Sequence, residues 1–207
     1  MTSIGSVTLE VADPTAAARF YSDAFGLDPS QVSLRASEAP TTGFRGFTLS
    51  LVVSQPGNVD ALFRAALDAG ATGLRPAEKS LWGYGGVVRA PDGTIWQIAT
   101  SAKKDTGPVT RKVDEVVLLL GVEDVKASKQ FYIEQGLTVA KSFGGKYVEF
   151  ATGPGTVKLS LYKRRALAKV AGVPADGTGS HRIVISGDTR PFSDPDGFVW
   201  EAAAPTG

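Results

Sequence analysis

Apolar residues recur along this chain with two periods, and each period returns in the second half. Runs in which Val, Leu and Ile alternate with polar residues, or follow one another, predict strands. In the first half these are SVTLEVA (6–12), QVSLRAS (31–37) and FTLSLVVS (47–54). In the second half they are EVVLLLGV (115–122), KYVEFAT (146–152), TVKLSLYK (156–163) and HRIVISG (181–187). Segments with apolar residues three and four apart predict helices over 14–25, 58–70 and 125–135. Asp13 and Asp124 stand where a helix N-cap is needed, Pro14 follows at the first helical position, and Gly26 and Gly136 supply left-handed stops.

The two halves share more than periodicity. ADPTAAARFYSDAFGL (12–27) parallels EDVKASKQFYIEQGL (123–137), and APDGTIWQIA (90–99) parallels DPDGFVWEAA (194–203). The offset is 111 from Phe20 to Phe131, 110 from Gly26 to Gly136 and 104 from Trp96 to Trp200. A duplicated unit explains this, and it divides the chain into 1–100, a polar linker at 101–112 and 113–207. Pro-Asp-Gly predicts a tight turn into each closing strand, where alternation puts Ile95 and Gln97 on one face and Trp96 and Ile98 on the other. The Phe-Tyr pairs fall at sheet-facing helix positions and read as core. The second half lacks a counterpart of the 58–70 helix, and the first half is short of strands before residue 44, so each half is expected to lend elements to the other.

Composition narrows the chemistry. With 207 residues, 43% apolar and 21% charged, the chain is an ordinary globular sequence. Its net charge of +1 does not steer it toward nucleic acid or anionic membrane. There is no cysteine, which removes disulfides and thiolate chemistry. The N-terminus lacks a basic segment followed by an apolar one, and no apolar run approaches a membrane span, so a soluble cytoplasmic protein is expected. The single histidine, His181, allows no site with two histidine ligands from one chain.

The strand, Asp-capped helix, Phe-Tyr and Gly-Leu opening, closed by Pro-Asp-Gly and Trp-Gln or Trp-Glu, resembles the vicinal oxygen chelate superfamily. That group includes glyoxalase I, bleomycin-resistance proteins and extradiol dioxygenases. The resemblance implies an α+β fold of tandem βαβββ modules, whose curled mixed sheets form cup-like half-barrels with helices outside. It also implies that any metal sits at the base of a cup, on the first and last strands of paired modules. Carried over, those positions fall on Ser6, Leu49 and Gln97 in the N-half, which suit no divalent metal. In the C-half they fall on His181 and Glu201. Strict counting puts Val117 at the remaining strand position, and a bulge would bring Glu115 there instead. The fourth position falls near Ser160. Glu115, His181 and Glu201 would suit one divalent Zn, Fe, Mn, Co or Ni.

Each candidate has a plainer reading. His181 is a ligand or general base, or a histidine hydrogen-bonded at a strand entry. Glu201 is a ligand, or the salt-bridge partner of Arg182 or Arg190. Trp82 and Tyr84, in the glycine-rich segment SLWGYGGVVRAPDG (80–93), either stack on a flat ligand or belong to a surface loop. The basic run KRRALAK (163–169) holds an anionic substrate or forms a solvated strand end or helix face. With these residues, the resemblance implies a small-molecule-binding protein for a hydrophobic or aromatic ligand, with no catalysis in the N-half. The rival is a metal-dependent lyase or isomerase with His181 and Glu201 in catalysis. A third reading is a non-catalytic scaffold whose cups are filled by side chains. The expected partner is a small-molecule ligand, with no nucleic acid and no membrane, bound by a monomer or homodimer.

Overall fold

The computed structural model describes residues 4–153 and 157–203. Thr156, which opens one expected strand, and the extreme ends of both expected units, 1–3 and 204–207, lie outside the described residues.

The chain is α+β, with two large mixed sheets that do not close into a barrel. The first strand, β1 (Ile4–Val11), leads into α1 (Pro14–Phe25) and β2 (Val32–Ala36). A short β3 (Thr41–Gly43) precedes β4 (Phe47–Val52), α2 (Pro56–Asp68), β5 (Thr72–Ser80), β6 (Gly83–Arg89) and β7 (Ile95–Thr100). After a segment without helix or strand come β8 (Glu115–Val122), α3 (Val125–Glu134), β9 (Val139–Phe143), β10 (Tyr147–Phe150) and β11 (Lys158–Lys163). The chain closes with α4 (Arg164–Ala171), β12 (Gly177–Gly179), β13 (Ile183–Gly187), β14 (Phe192–Ser193) and β15 (Val199–Ala202). Among the described residues, no helix is long and apolar enough to cross a membrane.

The order of the strands explains why each half looks incomplete. One sheet runs β5-β6-β7-β4-β8-β11-β10-β9, and the other β14-β15-β13-β1-β2. Each is centred on an antiparallel pair from opposite halves, β4 with β8 and β1 with β13. Each central strand has a parallel partner on its outer side: β7, β11, β2 and β15. The two complete βαβββ modules are therefore the middle ones, β4–β7 and β8–β11. They straddle the connecting segment, and the shortened first and last modules meet in the five-stranded sheet.

The connecting segment is held by side chains. Gln55, 3% exposed, accepts from the backbone N–H groups of Thr106 and Gly107 and donates to the carbonyls of Gly107 and Pro108. Asp105 accepts from Gly57 N–H at the start of α2. Backbone groups that no ladder satisfies thus find side-chain partners.

One apolar cluster takes in one face of both sheets together with α1, α2 and α3. Trp96 and Trp200, the repeated tryptophans, are fully buried in it. Each indole N–H donates to a helix tyrosine hydroxyl at 3.3 Å, Trp96 to Tyr21 and Trp200 to Tyr132. Each hydroxyl donates in turn to a carboxylate, Tyr21 to Asp92 at 2.5 Å and Tyr132 to Asp194 at 2.7 Å. Phe20, Tyr21 and Tyr132 of the Phe-Tyr pairs are core, and Phe131 is partly buried against it. Asp92 and Asp194 are not equivalent in the repeat, since Asp194 matches Ala90. The same relay is built from different positions because a buried indole N–H and phenol each need a partner.

Candidate functional site

The other face of the eight-stranded sheet is where a ligand could lie. Cross-strand register sets Gln97, Ser50, Val117 and Lys158 side by side on β7, β4, β8 and β11. The next row on this face is Thr48, Leu119, Ser160 and Glu149. Gln97 Nε2 donates to Thr48 Oγ1 at 2.9 Å. Tyr147 donates to Glu149 at 2.9 Å and lies 3.2 Å from Ser160 Oγ. Burial pushes the Tyr147 phenol up to about 12, and it raises Tyr162 as well.

Part of this face is covered by α4. Its buried residues Leu167, Ala168 and Ala171 pack with Phe44, Val87, Ile95 and Leu119 in a second apolar cluster, with Val117 and Tyr162 against its edge. The run KRRALAK is therefore mostly helix. Arg164 is structural: its guanidinium bonds to the carbonyls of Phe44 and Ala175 and lies over the Phe44 ring. Sequence reasoning missed the role of α4. The signal was the spacing of Leu167, Ala168 and Ala171 ahead of Gly172, whose φ of 77° makes it the helix stop.

A cavity beside α4, bounded by β5, β6 and β7, measures about 530 Å³, a size that suits a small ligand. Trp82, Gly85, Gln97, Ala99, Tyr162 and Val170 are in its wall. Trp82 sits at the turn between β5 and β6 and is 84% exposed. Tyr84 also lines this cavity, and its hydroxyl is engaged elsewhere. It alternates with Gly85 and Val87, and its hydroxyl donates to Asp60 on α2 at 2.7 Å. That bond, with some burial, raises its phenol to about 12. The glycine-rich segment is a strand over 83–89, not a loop. Its glycines allow close packing: a Cβ on Gly86 would stand 2.8 Å from the Phe63 ring, and one on Gly85 would stand 2.8 Å from the Ile98 carbonyl.

The expected C-half ligands are not brought together. Glu115 lies in the eight-stranded sheet and pairs with Lys158 at 2.7 Å. Glu201 lies in the five-stranded sheet, opposite Ser186, and both its oxygens accept from Arg35 at 3.2 and 3.3 Å. Its ion-pair partner is thus Arg35, and not Arg182 or Arg190. His181 precedes β13, five residues from Ser186, which is about 16 Å along an extended strand. Its Nδ1 is 2.6 Å from the Arg45 carbonyl, its Nε2 is 3.0 Å from the Asp196 carbonyl, and its ring stacks on Phe198. Both ring nitrogens face backbone oxygens, so the strand-entry reading describes its surroundings.

The N-half positions do not converge either. Ser6 pairs with Ser186 in the five-stranded sheet, while Leu49 is buried in the main core beside Trp96. Neither shares an interior with Gln97. Ser50 is the residue level with Gln97, because β4 presents its even-numbered positions to this face.

The metal implied by the resemblance finds no fitting donor set at these positions. The row Gln97, Ser50, Val117 and Lys158 contains an alkyl side chain and a cation, and Arg35 supplies the cation on Glu201. Among the described residues, no three His, Asp or Glu side chains are grouped to hold a metal ion.

No protein-family model matches the sequence, and no curated protein matches it. Solved structures do. The chain is similar to glyoxalase I from Zea mays, with a TM-score of 0.62 at 15% identity over 97% of this chain and 91% of that one. It is also similar to a putative dioxygenase from Bacillus subtilis, with a TM-score of 0.61 at 13% identity over 99% and 86%. Over nearly its whole length, the chain has the glyoxalase-like fold.

Proposed function

We propose that this protein binds a small, flat, hydrophobic or aromatic molecule in the cavity beside α4, and that its N-terminal half carries no catalysis. The observation that carries this reading is the 530 Å³ cavity between β5–β7 and α4. Its size suits a small organic ligand, and its wall combines apolar surface with polar groups from Arg75, Glu78, Ser80, Gln97 and Thr100. Trp82 offers a ring for stacking, and the Gln97 amide, braced by Thr48, offers a polar contact. The donor sets at the metal positions favour binding over metal-assisted chemistry.

The test uses the tryptophans. Trp96 and Trp200 are fully buried, so Trp82 is the one whose emission answers to solvent. A panel of planar aromatic compounds should include members that quench the long-wavelength emission saturably and raise the melting temperature. Both effects should weaken in Trp82→Ala and persist in chelator. A panel without effect would overturn the reading. An activity that appears with added Zn or Ni and vanishes on chelation would favour the lyase or isomerase alternative.

A further inference from the structure

A second cavity, on the opposite side of the Arg45 segment from α4, carries charge that nothing described neutralises by direct pairing. It measures about 320 Å³ and lies between the end of β1, the start of α1 and the Pro91–Asp92 turn. Arg45, just before β4, and Arg182, just before β13, both reach its wall. Among the described residues, neither guanidinium has a carboxylate within ion-pair distance. Arg45 Nη2 donates to the Asp92 carbonyl at 2.7 Å, and Arg182 Nη1 donates to the Ser37 carbonyl. Arg45 Nη1 and Arg182 Nε are buried without a hydrogen-bond partner. Buried unpaired donors of this kind are uncommon, and they mark two guanidiniums that the surrounding protein does not fully satisfy.

Two further observations set these arginines apart. Among the described residues, Arg182 is the one non-glycine with positive φ, at 58°. A non-glycine residue in that conformation is strained, and such strain gathers at binding sites. Burial lowers the Arg45 guanidinium from its ordinary value; the Asp92 charge opposes this and the Arg182 charge adds to it.

The acidic groups in the wall are already engaged. Asp92 accepts from the Tyr21 hydroxyl and from Thr94 N–H. Asp13 caps α1 through Ala16 N–H. Glu10 lies 4.0 Å from Arg35. These three carboxylates outnumber the two guanidiniums in the wall, so a dianion is disfavoured and an anion would be held by direct bonds to the guanidiniums rather than by the net charge. The rest of the wall, with Val11, Ala17, Phe20 and Pro91, is apolar.

We infer that this cavity is a binding site for a small organic monocarboxylate, its carboxylate held by Arg45 and Arg182 and its apolar body against Phe20 and Pro91. The site is separate from the cavity beside α4 and does not depend on the function proposed for it.

Hexanoate tests it, because an aliphatic acid has no ring to stack on Trp82. Calorimetric titration and thermal melts of the full chain would compare hexanoate with 1-hexanol and inorganic phosphate. Hexanoate should bind saturably and raise the melting temperature, and both controls should be much weaker. Arg45→Gln and Arg182→Gly should each weaken hexanoate by about tenfold or more, as losing a charge-assisted pair implies. Glycine suits the φ at 182, so Arg182→Gly removes the guanidinium while easing the backbone. Trp82→Ala should bind hexanoate like the parent. The inference is overturned if hexanoate does not bind, if phosphate or hexanol matches it, if binding survives in both arginine variants, or if Trp82→Ala abolishes it.

Discussion

Arg35 on β2 reaches Glu201 on β15 across two intervening strands and grips both carboxylate oxygens. In a flat sheet those strands would stand about 14 Å apart, so the contact requires the five-stranded sheet to curl. A pair of residues 166 positions apart in sequence thus ties the first module to the last. It also places a guanidinium where the family resemblance would put a metal. The side chains are 42% and 45% exposed. An exposed pair of this kind is worth about 0.2–1 kcal/mol, and it weakens with salt. A double-mutant cycle of Arg35→Ala and Glu201→Ala should give a coupling in that range, falling as salt is added. A coupling of several kcal/mol would mean that the curl of the sheet depends on this pair.

The tyrosines make a second prediction. All five, at 21, 84, 132, 147 and 162, have phenols raised above their ordinary value of 10.0. Burial is the main cause at Tyr21, Tyr132, Tyr147 and Tyr162, and the bond to Asp60 at Tyr84. The folded chain therefore holds phenolic protons more tightly than the unfolded chain. The stability this contributes is fully present below pH 10. It is lost as pH rises through the folded values, about 12 for Tyr84 and Tyr147. Tyrosinate absorbance should rise near pH 10 in denaturant and only at higher pH in the native protein. A native titration with a full step at pH 10 would contradict these environments.

Local pattern made much of this architecture legible. The α1 and α3 helices, their Asp caps, the Pro-Asp-Gly turns and the facing of Trp96 and Gln97 all follow from spacing within a few residues. What stayed hidden depends on distant pairing. Nothing local tells β4 to join β8, or β1 to join β13, because the ladder partners are settled by which apolar faces can be buried together. The placement of Glu115 and Glu201 in different sheets follows from that exchange, and with it the separation of the expected ligands. Gly83–Arg89 read as a loop because its glycines weaken strand propensity. The packing of Gly86 against Phe63 needs their lack of a side chain.

His181 tests the difference between a ligand and a brace. Its ring bonds toward the carbonyls of Arg45 and Asp196 and stacks on Phe198 at 4.0 Å. Removing it uncovers two acceptors and one ring face. His181→Ala should destabilise the fold by about 1–3 kcal/mol in denaturant titration, the range for leaving buried polar groups unpaired. Metal content, measured on untagged protein by elemental analysis, should not change. A variant with parental stability that lost a bound metal would return His181 to the role of ligand.

Leu167 tests the cover that α4 places on the eight-stranded sheet. It is 1% exposed and packs with Leu119 and Phe44 on the face opposite the main core. Truncating it would leave a void in a small apolar cluster that α4 covers. Leu167→Ala should cost about 2–5 kcal/mol, at the lower end if α4 settles into the gap. Leu167→Met, which conserves volume, should cost less than about 1.5 kcal/mol. The cavity beside α4 shares Val170 with the same helix, so movement of α4 alters its wall. Affinity for any planar ligand found by Trp82 quenching should therefore change in Leu167→Ala and hold in Leu167→Met, both measured below their melting temperatures. Equal affinity in the two variants, with Leu167→Ala clearly destabilised, would show that the ligand does not feel α4 and binds only against β5–β7.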